Sequence, residues 1–165
     1  MRRTHVQRNA HAENSTRRSA SVNPASATAY PPPRPYADGM LVIATVVATL
    51  AAVLHILIFV MESVRWTTPA TWKRFRIESQ EVAEVTRPLA YNQGFYNLFL
   101  ALGVFLGLIL LGIGDEFAGI VLLFFTLGSM VAASVVLITT GAKYIGPALV
   151  QGILPLAAIV LLVVR

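Results

Sequence analysis

Four long stretches without an ionised side chain divide the sequence. They lie between Asp38 and Glu62 (23 residues), Arg87 and Asp115 (27), Glu116 and Lys143 (26), and Lys143 and Arg165 (21). A helix rises ~1.5 Å per residue, so about 20 apolar residues cross a hydrocarbon core of ~30 Å. Every stretch is long enough, and the predicted spans are Met40–Met61, Leu89–Ile113, Phe117–Thr140 and Tyr144–Val164. The apolar runs are continuous rather than alternating, which excludes strands of a membrane barrel. They also lack the polar face of a core helix in a soluble protein. In lipid, only helices satisfy every backbone group over such lengths. Short links join neighbouring spans, so the expected fold is all-α: a transmembrane bundle of four helices in up-down order.

Composition narrows the chemistry. Charged residues make up 13% of the 165, against the ~25% of a soluble domain. Cysteine is absent, which removes disulfides, thiolate catalysis and cysteine metal sites. Of three histidines, His5 and His11 lie in a polar leader and only His55 in a span. A metal site needs three or four ligands, and His55 and Glu62 are the credible pair, so neither a metal nor another cofactor is expected. No phosphate loop, nucleotide fingerprint or nucleophile beside a base is present. Whether the protein is an enzyme stays open at this level.

Residues 1–39 differ in kind. They carry Arg2, Arg3, Arg8, Arg17, Arg18 and Arg34 amid Ser, Ala, Asn and Pro. Pro31, Pro32, Pro33 and Pro35 predict an extended segment before the first span. Such a stretch cannot bury a core, and a disordered tail is expected, followed by a membrane domain over residues 40–165. Three readings of the tail stand: an untranslated leader with Met40 as the true start, a solvated tail touching acidic lipid, or a nucleic-acid arm. The last is weakest, because no aromatic residues interleave with the arginines, and no nucleic-acid partner is expected. A cleaved signal peptide fits poorly, since the charged region lies far from the apolar run.

Parity orders the two ends of the bundle. Side A carries the tail, the Gly114–Glu116 turn and the C-terminus, and side B carries the Ser63–Pro88 loop and the turn at Lys143. Arg65, Lys73, Arg74, Arg76, Arg87 and Lys143 crowd side B. The positive-inside rule then makes side B cytoplasmic, with both termini outside, in an inner or plasma membrane. The distant tail arginines argue the other way. Within the loop, Thr68-Pro69 reads as an N-cap and first helical residue. Trp72 and Phe75 follow three apart beside Lys73, Arg74 and Arg76, the pattern of a short interfacial amphipathic helix. Trp66, Trp72 and Phe75 are the expected interface anchors. Ser79–Arg87 reads as a solvated helical approach to the second span.

The strong polar groups of the spans converge on side B. They are His55 and Glu62 in span one, Asn92, Gln93, Tyr96 and Asn97 in span two, and Gln151 in span four. Span three contributes the hydroxyls Thr126, Ser129 and Ser134, then Thr139 and Thr140 at its end. His55 and Glu62 are seven apart, two turns along one face. Asn92 and Tyr96 share a face with Gly103 and Gly107, whose GxxxG spacing lets a neighbouring helix approach, so that face is expected to point inward. Gln93 and Asn97 form a second i, i+4 pair. Pro155 frees a backbone carbonyl near Gln151.

Unpaired polar groups in hydrocarbon cost several kcal/mol, so these should meet. One reading is a side-B pocket for a small or lipid-like ligand, with His55 and Glu62 as a proton-active pair and Asn92, Asn97 and Gln151 as hydrogen-bonding partners. The other is polar fastening of helices, at roughly 0.6 kcal/mol per bond. A third reading, a transporter subunit, requires a homo-oligomer, because the side-A halves of spans two and four offer no polar path. The lipid bilayer is the one partner expected in every case.

Three motifs resemble a known family. The first is His55, Glu62, Trp66-Thr67-Thr68-Pro69 and Phe75; the second is Asn92-Gln93-Gly94-Phe95-Tyr96-Asn97 with Phe99-Leu100-Ala101; the third is Val150-Gln151-Gly152 with Pro155. In this order they resemble domain-of-unknown-function family 1304, small integral membrane proteins of four spans. The resemblance covers about Leu41 to Val164 and implies that architecture, without an activity. Members of the family usually begin close to the first span, so the tail is a departure.

Overall fold

The computed structural model describes residues 35–165. The expectations for the basic tail, including its start at Met1 or Met40, lie outside the described residues. Helix α1 (Pro35–Phe59) runs into a π-helical turn (Val60–Val64), followed by a short α2 (Pro69–Arg74), a long α3 (Gln80–Gly112) and α4 (Glu116–Thr139). A 3-10 turn (Ala142–Tyr144) then leads into α5 (Ile145–Val164). No strand occurs among the described residues.

Four helices are long and apolar enough to cross a membrane: Gly39–Val64, Gln80–Gly112, Glu116–Thr139 and Ala142–Val164. They match the four uncharged stretches to within a few residues at most ends, and the chain is a multi-pass membrane protein. Two ends differ from expectation. Pro35 is not in extended backbone but opens α1, since a proline's fixed φ suits the first turn, where its missing N–H is not needed. The second span begins earlier than Leu89, because the helical approach is continuous with it: α3 runs through Pro88 as one helix of 33 residues. At ~1.5 Å per residue that is about 50 Å, so one end of α3 projects beyond the apolar layer. Ser79 caps it, its hydroxyl accepting from Val82 N–H at 3.3 Å.

The spans close into a ring in which α1 packs on α3 and α5, and α4 packs on α3 and α5. Buried positions follow a 3-4 spacing on every span. They are Ala44, Ala48, Ala51 and His55 on α1, and Ala90, Gly94, Asn97, Ala101 and Val104 on α3. Helix α4 contributes Gly119, Leu123, Thr126, Met130 and Ser134, and α5 contributes Ala148, Gly152, Pro155 and Leu162. Such seams belong to helices crossing at small angles. The alanines and glycines let backbones approach where no hydrophobic force drives spans together. A Cβ on Gly107 would lie 3.2 Å from the Gly119 carbonyl, and a Cβ on Gly119 2.9 Å from the Gly107 carbonyl, so both positions require glycine's bare backbone. A Cβ on Gly103 would meet Thr126, and one on Gly107 would meet Leu123.

Candidate functional site

The side-B end of the bundle is built around the π turn that ends the first span. Arg65 N–H reaches back five residues to the Val60 carbonyl at 2.9 Å. The extra residue in this turn shifts the phase of the helix just before the loop, and π turns of this kind concentrate at functional sites. The turn lies against α3 at Gly94, where an added Cβ would sit 3.0 Å from Ser63 N and 3.1 Å from Glu62 Cβ. Ser63 Oγ donates to the Tyr91 carbonyl at 2.8 Å, locking the two segments.

That contact delivers Glu62 to Asn97. Glu62 is buried, and its Oε2 accepts a hydrogen bond of 2.9 Å from Asn97 Nδ2. The same amide donates to the Gln93 carbonyl at 3.1 Å, one turn back along α3, which fixes its orientation. The Asn-Gln-Gly-Phe-Tyr-Asn block therefore has a local physical meaning. Gly94 admits the turn, Asn97 binds the carboxylate, and Gln93 orients Asn97 through its backbone.

Glu62, Gln93, Asn97 and Gln151 line one cavity of about 790 Å³. Its walls are Leu54, Leu57 and Ile58 of α1, Leu137 of α4, and Pro147 and Val150 at the start of α5. The loop forms its roof. Trp66 is buried beneath that loop, its Nε1 donating to the Ala83 carbonyl at 2.9 Å and its ring meeting Phe75 edge-on at 5.2 Å. Arg65, Thr71, Arg74 and Arg76 also line the cavity. A smaller space of about 220 Å³, bounded by Trp66, Thr86 and Leu89, also touches Glu62 and Gln93.

Arg76 has φ +61°, the single non-glycine residue with positive φ among those described. It stands just past the end of α2. Its N–H donates to Lys73 O at 3.0 Å, and Ile77 N–H donates to Trp72 O at 3.0 Å. This is a Schellman ending, in which the left-handed position is usually glycine. A side chain there costs about 1 kcal/mol.

Not all of the expected site residues meet. Asn92 and Tyr96 are exposed on the outer side of α3, Tyr96 at 57%, and neither lines the cavity. The inward face of α3 is instead that of Ala90, Gly94, Asn97 and Ala101, because those small side chains permit the closest packing. His55 is fully buried on the alanine seam of α1 and does not border the cavity. Its Nδ1 donates to the Ala51 carbonyl at 2.9 Å, and its Nε2 has no partner. Since Glu62 is engaged by Asn97, the two do not form a pair. The span-three hydroxyls bond their own helix: Thr126 to Leu122 O, Ser129 to Phe125 O and Ser134 to Val131 O. They neither join the cavity nor hydrogen-bond across helices.

Of the expected anchors, Trp66 turns inward, while Trp72 lies partly exposed and donates to Gln80 Oε1 at 2.9 Å. The arginines of the lining are legible in the sequence only as loop charges. They reach the cavity because the loop, with Trp66 buried against Phe75, lies over the span ends.

The family description Protein of unknown function (DUF1304) matches residues 49–163, a stretch holding all four helical spans in whole or part and every residue of the cavity. The chain belongs to this family. No curated protein and no solved structure gives a significant match. Within this DUF1304 chain, the first and second of the three motifs meet at the Glu62–Asn97 bond, and Gln151 of the third lines the same cavity.

Proposed function

We propose that this membrane protein binds a small or lipid-like ligand in the side-B cavity. The observation that carries the reading is the cavity itself: about 790 Å³, with apolar walls and a few convergent polar groups. Ligand sites typically have this make-up and volumes of roughly 300–1,000 Å³. Glu62, Gln93, Asn97 and Gln151 supply the polar contacts in this reading. His55 sits on the seam away from the cavity and is left out. The test is photo-crosslinking in living cells, with a benzophenone amino acid at Val150 on the cavity or at Leu106 on the outer face of α3. A discrete adduct at Val150, absent at Leu106, is expected. The same lipid mixture at both positions would reject the site.

The second reading, structural fastening, is favoured by the buried Glu62–Asn97 bond between the first and second spans. In that case neutral variants of either residue lower thermal stability and release nothing.

For topology we infer that side B faces the cytoplasm of a cell bounded by this membrane, supported by the six basic residues near the spans there. The chain has no cysteine, so single introduced cysteines report cleanly. Thr67→Cys should resist an impermeant maleimide in intact cells, and Asp115→Cys should react; the reverse pattern would invert the topology.

A further inference from the structure

If the cavity is a ligand site, its chemistry narrows the occupant. We propose that it holds an anionic amphiphile drawn from the membrane, with an acidic head group on Arg65, Arg74 and Arg76 and a hydrocarbon chain along α1 and α5.

The three arginines come from two ends of secondary structure, the π turn and the C-terminus of α2. Arg65 closes the π turn, Arg74 ends α2, and Arg76 follows in left-handed backbone. All three line the one cavity. Among the described residues the sole ion pair is Arg165–Glu116, at the opposite end of the bundle. The one carboxylate on the lining is Glu62, whose Oε2 is held by Asn97. The side chain of Arg74 contacts the Met61 sulfur at 3.9 Å. Three arginines with no carboxylate within salt-bridge distance among the described residues thus line one cavity. Arginine's planar fork matches carboxylate and phosphate oxygens two bonds at a time.

The backbone of Arg76 is an independent sign. Glycine would end α2 without strain, yet the position carries the side chain that completes the basic cluster. Strain retained against the easy alternative is characteristic of binding sites.

The walls favour an amphiphile over a merely soluble anion. Leu57 and Val150 line the cavity yet remain 54% and 63% exposed, so it stays open beside α1 and α5, where a membrane-borne chain could lie. A free phosphate has no use for this apolar lining, and a neutral lipid has none for the arginines. The arginines also sit at the ends of the spans, at head-group level.

The test is native mass spectrometry of the purified full chain in mild detergent, titrated with lysophosphatidylglycerol, lysophosphatidylcholine of the same chain length, or inorganic phosphate. One lysophosphatidylglycerol per chain is expected, at least about tenfold tighter than the choline lipid, as charge-assisted hydrogen bonding implies. Arg76→Gly should weaken it several-fold while melting no lower than wild type. Arg65→Gln with Arg74→Gln should weaken it further, and Arg87→Gln, outside the cavity, should change nothing. Equal retention of the two lipids, indifferent to the arginine variants, would overturn the acidic head group and leave the cavity as a ligand site. Stoichiometric retention of neither lipid would remove both readings. Displacement of the anionic lipid by millimolar phosphate would overturn the membrane source.

Discussion

The two ends of this bundle solve opposite problems. At side A, glycine faces glycine between α3 and α4, and alanines of α1 lie in the same core as Ala158 and Leu162 of α5. The end is closed by Arg165 Nη2 donating to Glu116 Oε1 at 2.7 Å. At side B the helices part around a cavity, a π turn replaces regular helix, and polar and basic side chains line the space. The same small-residue principle operates at both ends, but with different products. Gly107 and Gly119 bring two backbones together and leave no room, whereas Gly94 seats a π turn and so aims a carboxylate. The difference teaches that the closest backbone packing lies toward side A, while side B carries the polar groups and the open space.

The comparison would be broken most severely at Gly119. A methyl there meets the Gly107 carbonyl and Leu111 N at 2.9 Å, and neither backbone atom can rotate away. Gly119→Ala should cost about 2–3 kcal/mol, the upper range for overpacking, measured as denaturant unfolding in detergent. Ligand retention by the fraction that remains folded should be unaffected.

Next in size is the side-B bond. A double-mutant cycle with Glu62→Leu and Asn97→Leu should give a coupling energy of roughly 0.6–1.7 kcal/mol, the measured span for hydrogen bonds between membrane helices. Either single variant should also reduce ligand retention, which no side-A variant should do. A coupling near zero would mean that the bond contributes position without stability. Smallest is Arg165→Gln. Glu116 is largely exposed, so its ion pair is screened, and the loss should stay below about 1 kcal/mol and shrink with added salt.

The sequence already discloses much of this contrast. Gaps between charges locate the four spans, because length and apolarity suffice for a helix in lipid. Parity alone sends Glu62, Asn97 and Gln151 to one end. The rotation of α3 is harder to read. Gly103 and Gly107 pointed to the face of Asn92 and Tyr96, while the full 3-4 series Ala90, Gly94, Asn97, Ala101 and Val104 identifies the buried one. That series was present to be found, as was the matching series on α1. The π turn has no such signature: Val60–Val64 is ordinary helical sequence, and the altered hydrogen bonding occurs where it packs against Gly94. The basic lining depends on a tertiary event as well, the docking of Trp66 against Ala83, which periodicity does not reveal.

Side B is proposed to hold a ligand in its cavity. The most direct measurement is native mass spectrometry of the full chain extracted in its own lipid, comparing wild type with Leu57→Trp, which adds bulk to the α1 wall of the cavity, and Leu106→Trp, on the outer face of α3. The expected result is a discrete adduct on wild type and Leu106→Trp that disappears in Leu57→Trp while all three melt alike. Three identical spectra, without a specific adduct, would contradict the account and leave the side-B opening as packing alone.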